Sequence, residues 1–261
     1  MGHVEWIESV LVDRVPGPGG IAHADADWSE PGGGGAVVAA QLARLGGQCD
    51  FFTALGADDL GRRSLERLTE LGIEVHVEWF GSTRRGFVQV DAHGERTITT
   101  VGPKLRPRSL PAMGGYDAVF FVAGEVEALR AARAARFLAA TPRELAILRE
   151  GGVRIDLLVG SGSDPAEHYD GGLDVGLVVA TDGAGGGSAG GRRYEAVPPP
   201  GEIADTYGAG DSFAAALCFA LARGDELEDA LALAARAGAA VVTGKGPFST
   251  QLADQGFTGG R

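Results

Sequence analysis

Residues 205–213 read DTYGAGDSF, and the apolar run AAALCFALA follows at once. An extended segment ends at Thr206 or Tyr207. The small residues Gly208, Ala209 and Gly210 then open a helix that continues through Phe213 and Leu217. The first N–H groups of a helix have no internal partner and carry the positive end of its dipole. Glycines at such a mouth leave the backbone bare, so a phosphate can approach those N–H groups closely. Asp211 falls in the first turn, within reach of whatever lies against that phosphate. A carboxylate there can take a proton from an attacking hydroxyl while the amides hold the charge that develops on the transferred group. It can equally cap the helix, and the local pattern leaves both roles open.

On the N-terminal side of this stretch, short apolar segments predict buried strands at CDFFTAL (49–55), YDAVFFVA (116–123), RIDLLVG (154–160) and VGLVVAT (175–181). Helical spacing predicts helices over 35–46, 58–72, 126–140, 211–224 and 225–243, the first two ending on glycine. Strand and helix alternate, which argues for an α/β sandwich around a largely parallel sheet, in a single domain spanning 1–261. One region breaks the alternation. IEVHVEWF (73–80) and FVQVDAHGERTITTV (87–101), the latter turning at His93-Gly94, read as half-exposed antiparallel strands. They are expected to form a small lid within about 73–101. The last residues, DQGFTGGR, read as a frayed tail.

The chain has 261 residues, 44% of them hydrophobic, and a net charge of −12, which excludes the basic face that a non-specific nucleic-acid binder needs. Its two cysteines lie in apolar surroundings without a CxxC or CxxH partner, so they read as buried hydrophobes in a reducing compartment and not as metal ligands. No apolar run approaches the roughly 20 residues of a membrane span. MGHVEWIES has neither the basic nor the apolar part of a signal peptide, and Trp6 stands where a myristoylation motif has Ser or Thr. The expectation is a cytoplasmic protein with no membrane partner.

The common phosphate loops fail on context. GAGGGSAGG (183–191) follows a strand but precedes another, GGGG (32–35) precedes a helix but follows no strand, and Lys245 is followed by Gly246 where a P-loop has Ser or Thr. DTYGAGD instead resembles the C-terminal signature D-T-x-G-A-G-D of the ribokinase-like (PfkB) sugar kinases. PGGGGAVVAAQLARLGGQCDFFTALGADDLGRRSLERLTELGI resembles that family's N-terminal signature, with its double glycine, L-A-R-L-G and G-x-D-x-x-G. The resemblance runs from about Gly2 to Leu252. It implies a ribokinase-like three-layer sandwich with an antiparallel β lid, and phosphoryl transfer from Mg-ATP to an alcohol of a small carbohydrate.

Carried over by position, the resemblance makes Asp211 the catalytic base and Gly208, Ala209 and Gly210 the anion hole. Thr181, Gly183 and Gly186 would lie along ATP, with Gly244 in the loop flanking the adenine. Gly32 and Gly33 would lie against the acceptor. Asp205 matches the position from which some members hold a monovalent cation such as K⁺. The lid would cover the acceptor and offer a homodimer contact.

Four departures stand against the pattern. Val37 occupies the place of an Asn that helps hold the sugar, and a valine cannot hydrogen-bond a hydroxyl. The N-x-x-E motif near the magnesium ion appears only as Ser161 to Asp164, leaving Asp164 as the Mg²⁺-side carboxylate. PAEHYDGGLD (165–174) leaves little room for the helix usual there. Only Met1 precedes GHVEW, so the first central strand is expected to be missing or the chain start misplaced, and the early substrate-binding acid falls to Glu5, Glu8 or Asp13, with Glu5 preferred. Arg84, Arg85 and Arg96 either bind a phosphate already on the acceptor or form a solvated lid edge, with Arg96 taken as the substrate-side candidate. A nucleoside kinase of the same fold and a catalytically weak nucleotide- or sugar-binding sensor are the competing readings.

Overall fold

The computed structural model describes residues 1–253; the expected C-terminal tail lies outside them. Its core sheet is assembled from two hydrogen-bonded blocks. Strands β1 (Gly2–His3), β4 (Asp50–Leu55) and β5 (Glu74–Trp79) run in parallel in the order β1-β4-β5. Strands β8 (Ala118–Phe121), β9 (Phe137–Ala140), β10 (Ile155–Ser161) and β11 (Val175–Thr181) are likewise parallel. The antiparallel strands β12 (Gly187–Ala189) and β13 (Arg192–Tyr194) extend that block at one edge. Met1 joins the two: its nitrogen donates to the Phe120 carbonyl at 2.8 Å, and its own carbonyl accepts from the Val122 N–H at 3.0 Å. The central strand doubted from the sequence is therefore present, short and completed by Met1.

Helices cover both faces. On one lie α1 (Gly34–Gly46), α5 (Ala209–Arg223) and α6 (Leu227–Val241), packed on Phe120, Ala139, Leu157 and Val159. Helix α2 (Asp59–Glu70) buries Leu68 in a cluster with Phe51 and Leu55 of β4 and Ala40 of α1. On the other face lie α3 (Val126–Ala132) and α4 (Leu145–Gly151), packed on Val119, Phe121, Leu138 and Leu158. The alternation of these strand residues between two apolar layers is what a sheet buried on both sides requires. Helix α5 is buried along most of its length, with Ala214, Ala215, Ala216 and Ala220 facing a run of alanines in α6 that includes Ala230, Ala234 and Ala237. Small side chains bring these backbones close and fix the position of the α5 N-terminus.

Three expectations need correction. The helix expected over 126–140 stops at Ala132, and FLAA (137–140) is strand β9, inserted between β8 and β10. Alanine and arginine favour a helix locally, but the sheet buries Leu138 and Ala140 completely. The segment at 73–80 is not part of the lid; it is β5, the parallel edge strand beside β4. An edge strand with one solvated face alternates just as a lid strand does, so the two cannot be told apart by pattern. The lid sheet is made by β2 (Glu5–Leu11), β3 (Ala26–Gly32), β6 (Arg85–Val90) and β7 (Arg96–Val101), in the order β3-β2-β6-β7. Half of it thus comes from the N-terminal segment, for which no strands were predicted. The β6–β7 hairpin with Gly94 at positive φ is as expected, and the short middle carries only a single turn at Pro165–Glu167.

Candidate active site

The C-terminal ends of β1, β8, β9, β10 and β11 lie along one edge of the core sheet, where crevices form in parallel α/β folds. Two helices open onto this edge. Gly208 adopts a left-handed conformation (φ 87°, ψ 0°) ahead of α5, one that glycine alone adopts freely. A Cβ built on it would meet Pro247 and Val37 at 2.9 and 3.1 Å. Val37, at the position of the family's Asn, is thus wholly buried beneath the loop and supports it by packing. Gly210 by contrast would have nothing within 4 Å of an added Cβ, so its backbone faces open space. Gly33 (φ 85°) precedes α1, and its N–H donates to the Tyr207 hydroxyl at 2.8 Å.

Asp211 stands where these helix mouths meet. A Cβ on Gly34 would lie 2.9 Å from Asp211 Oδ1 and 3.1 Å from Val122 Cγ1. Loss of water in the cleft, and secondarily the charge of Glu167, push the Asp211 pKa upward, while the charges of Arg96, His3 and Arg143 oppose the shift. The lid supplies the facing wall. Glu5 is buried, 3.4 Å from His3 Nε2 and 3.2 Å from Arg84 Nε. Burial alone would raise its pKa, but its contact with His3 and the charges of His3, Arg84 and Lys104 hold it below the ordinary value. Arg96 donates to the Thr206 carbonyl at 2.5 Å and lies 5.3 Å from the Tyr207 ring. Arg85 is directed away, paired with Glu8 at 2.6 Å. Glu8 is thereby engaged at the lid surface.

The sequence nominated Asp164 at the third position after Ser161. Its carboxylate caps the 165–167 turn through the Ala166 N–H at 2.9 Å and is ion-paired with Arg143. Those contacts, the Ala166 bond foremost, lower its pKa. Glu167 was missed because no spacing pattern marks it. It accepts from the Ser161 N–H at 2.6 Å, pairs with Arg143 at 2.7 Å, and is the carboxylate whose charge reaches Asp211. His3 was also missed: it is buried, touches the face of Gly33, and its Nδ1 has no partner in the described residues.

The remaining nominated residues divide. Thr181 closes β11 beside Ser161 and accepts at its carbonyl from Gly162 at 2.7 Å, and Gly183 has open space in front of it. Gly186 and Gly244 are enclosed: side-chain carbons there would strike Tyr194 O at 2.2 Å and Ser249 Oγ at 2.1 Å. Their glycines are explained by packing. Gly32 is closed in by Ile7 and the Tyr207 hydroxyl. Asp205 is buried and accepts from the N–H groups of Tyr207 and Gly246 at 2.9 and 3.0 Å, so both of its oxygens brace the loop.

Against known families, residues 2–134 and 171–253 match the pfkB family carbohydrate kinase profile. The chain belongs to this family. The unmatched stretch between them includes Arg143, Asp164 and Glu167. Over 97% of the chain and 94% of its relative, it is 27% identical to the ATP-dependent ribose-1-phosphate kinase of Halopiger xanaduensis. It is 29% identical to a fructokinase of Klebsiella pneumoniae, covering 95% of each. The ribokinase of Thermotoga maritima superposes with a TM-score of 0.74 at 23% identity, over 97% of this chain and 94% of that one. The pfkB kinases are phosphotransferases that act on hydroxyl groups, and this chain is a carbohydrate kinase of that kind with the ribokinase fold. No helix among the described residues is long and apolar enough to cross a membrane.

Proposed function

We propose that the protein phosphorylates a hydroxyl of a small carbohydrate or related metabolite with ATP in the cytoplasm, using Asp211 as general base and the 208–210 amides as anion hole. The observation that carries this reading is the confrontation of Asp211 with the bare N-terminus of α1 at Gly34. An acceptor lying on the Gly33–Gly34 backbone presents its hydroxyl to Asp211, and its oxygen then attacks a phosphoryl group held over the open backbone of Gly210. The upward shift of the Asp211 pKa suits a base, because it strengthens proton affinity. His3 and Glu5 form the acceptor wall.

The donor set near the strand ends fits Mg²⁺ through oxygen ligands. Glu167, with Asp164 behind it, is the carboxylate group that would hold the ion, which when bound neutralises charge on the phosphates. Gly183 and Thr181 line the nucleotide side. Asp205 is retained as a monovalent-cation candidate. Burial raises its pKa, and Glu30, whose pKa burial pushes up to about 7 with Asp205 adding to the shift, lies against Gly246. The edge strand β7, exposed at each of its residues and carrying Ile98 and Val101, is the surface a lid-mediated homodimer would use.

A phosphorylated acceptor is a second reading, favoured by Arg84 and Arg96 at the acceptor wall in a chain of net charge −12. The name of the Halopiger relative agrees with it. The test is ADP release with Mg-ATP across sugars, sugar phosphates, polyols and nucleosides, run beside Asp211→Asn. Turnover should fall by about two or more orders of magnitude in the variant with ATP affinity within a few-fold. Equal turnover refutes the base assignment, and ATP binding without acceptor-dependent release returns the sensor reading.

A further inference from the structure

Away from the cleft, the parallel register of β4 and β5 sets Asp50 opposite Glu74 and Phe52 opposite His76. Successive side chains of a strand alternate between faces, so these four residues share one face of the sheet edge. Two like charges directly opposite one another destabilise a strand pair, and here the arrangement recruits an imidazole. His76 Nε2 lies 2.6 Å from Asp50 Oδ1 and 3.9 Å from Glu74 Oε1. One ligand atom from each of the three residues falls within 4.8 Å of the others.

The ligands are oriented before any ion arrives. The His76 ring stacks on Phe52 with centroids 4.5 Å apart and planes inclined by 13°, which fixes the direction of Nε2. Tyr116 is in edge contact with the same Phe52 at 6.3 Å, and after loss of water the charge of Asp50 is the next cause that pushes its pKa upward. Outer contacts of this kind hold metal ligands in place in established sites. Glu74 and His76 are exposed, so solvent can complete the shell of an ion held there.

We propose that Asp50, Glu74 and His76 form a second cation site, selective for a borderline divalent transition metal of the Zn²⁺ class and separate from the Mg-ATP cleft. One imidazole nitrogen with two carboxylates suits Zn²⁺, Co²⁺ or Ni²⁺, whereas Mg²⁺ demands an oxygen shell and retains its waters. The bound ion ties β5, the edge strand of the core sheet, to β4.

The test is zinc titration by calorimetry on the full chain after chelator treatment and exchange into excess Mg²⁺, which keeps magnesium-preferring sites filled. Wild-type protein should bind about one equivalent, and His76→Ala and Asp50→Asn should each weaken it by about tenfold or more. Glu74→Gln, which leaves the Phe52 stack untouched, should weaken it as well, so that loss of binding cannot be assigned to a disturbed fold. Kinase turnover with Mg-ATP should be unchanged in all three. Zinc bound with undiminished affinity by the variants places it elsewhere and overturns the proposal. Absence of saturable binding below about 100 µM also overturns it, leaving a simple His–Asp ion pair.

Discussion

Adjacent glycines at the start of α1 should separate activity from stability. At Gly34 an added Cβ would lie 2.9 Å from Asp211 Oδ1 and 3.1 Å from Val122 Cγ1. Ordinary van der Waals contact begins near about 3.4 Å, so the carboxylate must retreat by roughly half an ångström. The obstacle is the free end of a side chain, which can rotate, and φ at Gly34 is not positive. The helix itself gains up to about 1 kcal/mol from alanine, against an overlap cost of about the same size. Gly34→Ala should therefore keep its Tm within roughly 4 °C of wild type. A displaced base is another matter, and kcat should fall about 10- to 100-fold.

Gly35→Ala reverses the outcome. There the new carbon would lie 2.6 Å from the His3 carbonyl oxygen and 2.7 Å from the Gly2 carbonyl carbon. Neither backbone atom can move without shifting β1 out of register with β4. The expected cost is about 2–3 kcal/mol, or roughly 5–10 °C in Tm. Thermal unfolding and steady-state ADP release on the two variants decide the matter. If Gly34→Ala turns over like wild type at unchanged Tm, the Asp211 carboxylate is not held at the reacting oxygen, and the base assignment loses its geometric support.

Glu167→Gln removes the charge that helps raise the Asp211 pKa. A base must be deprotonated to act, so kcat/KM falls as pH drops through its pKa, and in this variant the acid limb should move to lower pH; an unmoved limb excludes the coupling. Glu30, with a folded pKa of about 7 against 4.5 unfolded, binds its proton more tightly in the folded state. It therefore costs stability as pH rises from 4.5 through about 7, by up to about 3 kcal/mol. Glu30→Gln should stabilise the protein at pH 8 and leave it nearly unchanged at pH 4.5, measured by denaturant unfolding, and equal effects at both pH values would contradict the burial of that carboxylate.

What the sequence carries legibly is what is contiguous. DTYGAGD needs no distant partner to set glycines and a carboxylate in one helical turn, so it can be proposed as an anion-binding helix mouth without knowledge of the fold. The strands at 116–123 and 154–160 are legible because burial on both faces makes them continuously apolar, and those at 49–55 and 175–181 are legible by their apolar runs although they are less completely buried. The lid is only half legible. EWIESVL sets its two glutamates three positions apart, on opposite faces of a strand, and Glu5 is tolerated in the wall only because His3 and Arg84 face it, a compensation that tertiary contact alone reveals. The partition between FLAA as helix and as strand is settled by the sheet, against local propensity.

The same distinction explains the carboxylates. Asp164 stands at the spacing a motif search rewards, yet its oxygens are consumed by a turn N–H and by Arg143. Glu167 stands at no rewarded spacing, but the turn at Pro165–Glu167 folds it back onto Ser161, so that it and Asp164 share Arg143. A shortened loop has room for such a return only because no helix occupies it. The segment that departs most from the family pattern therefore sets a second carboxylate beside Asp164, and although Glu167 too is held by a backbone N–H and by Arg143, its charge helps to raise the Asp211 pKa.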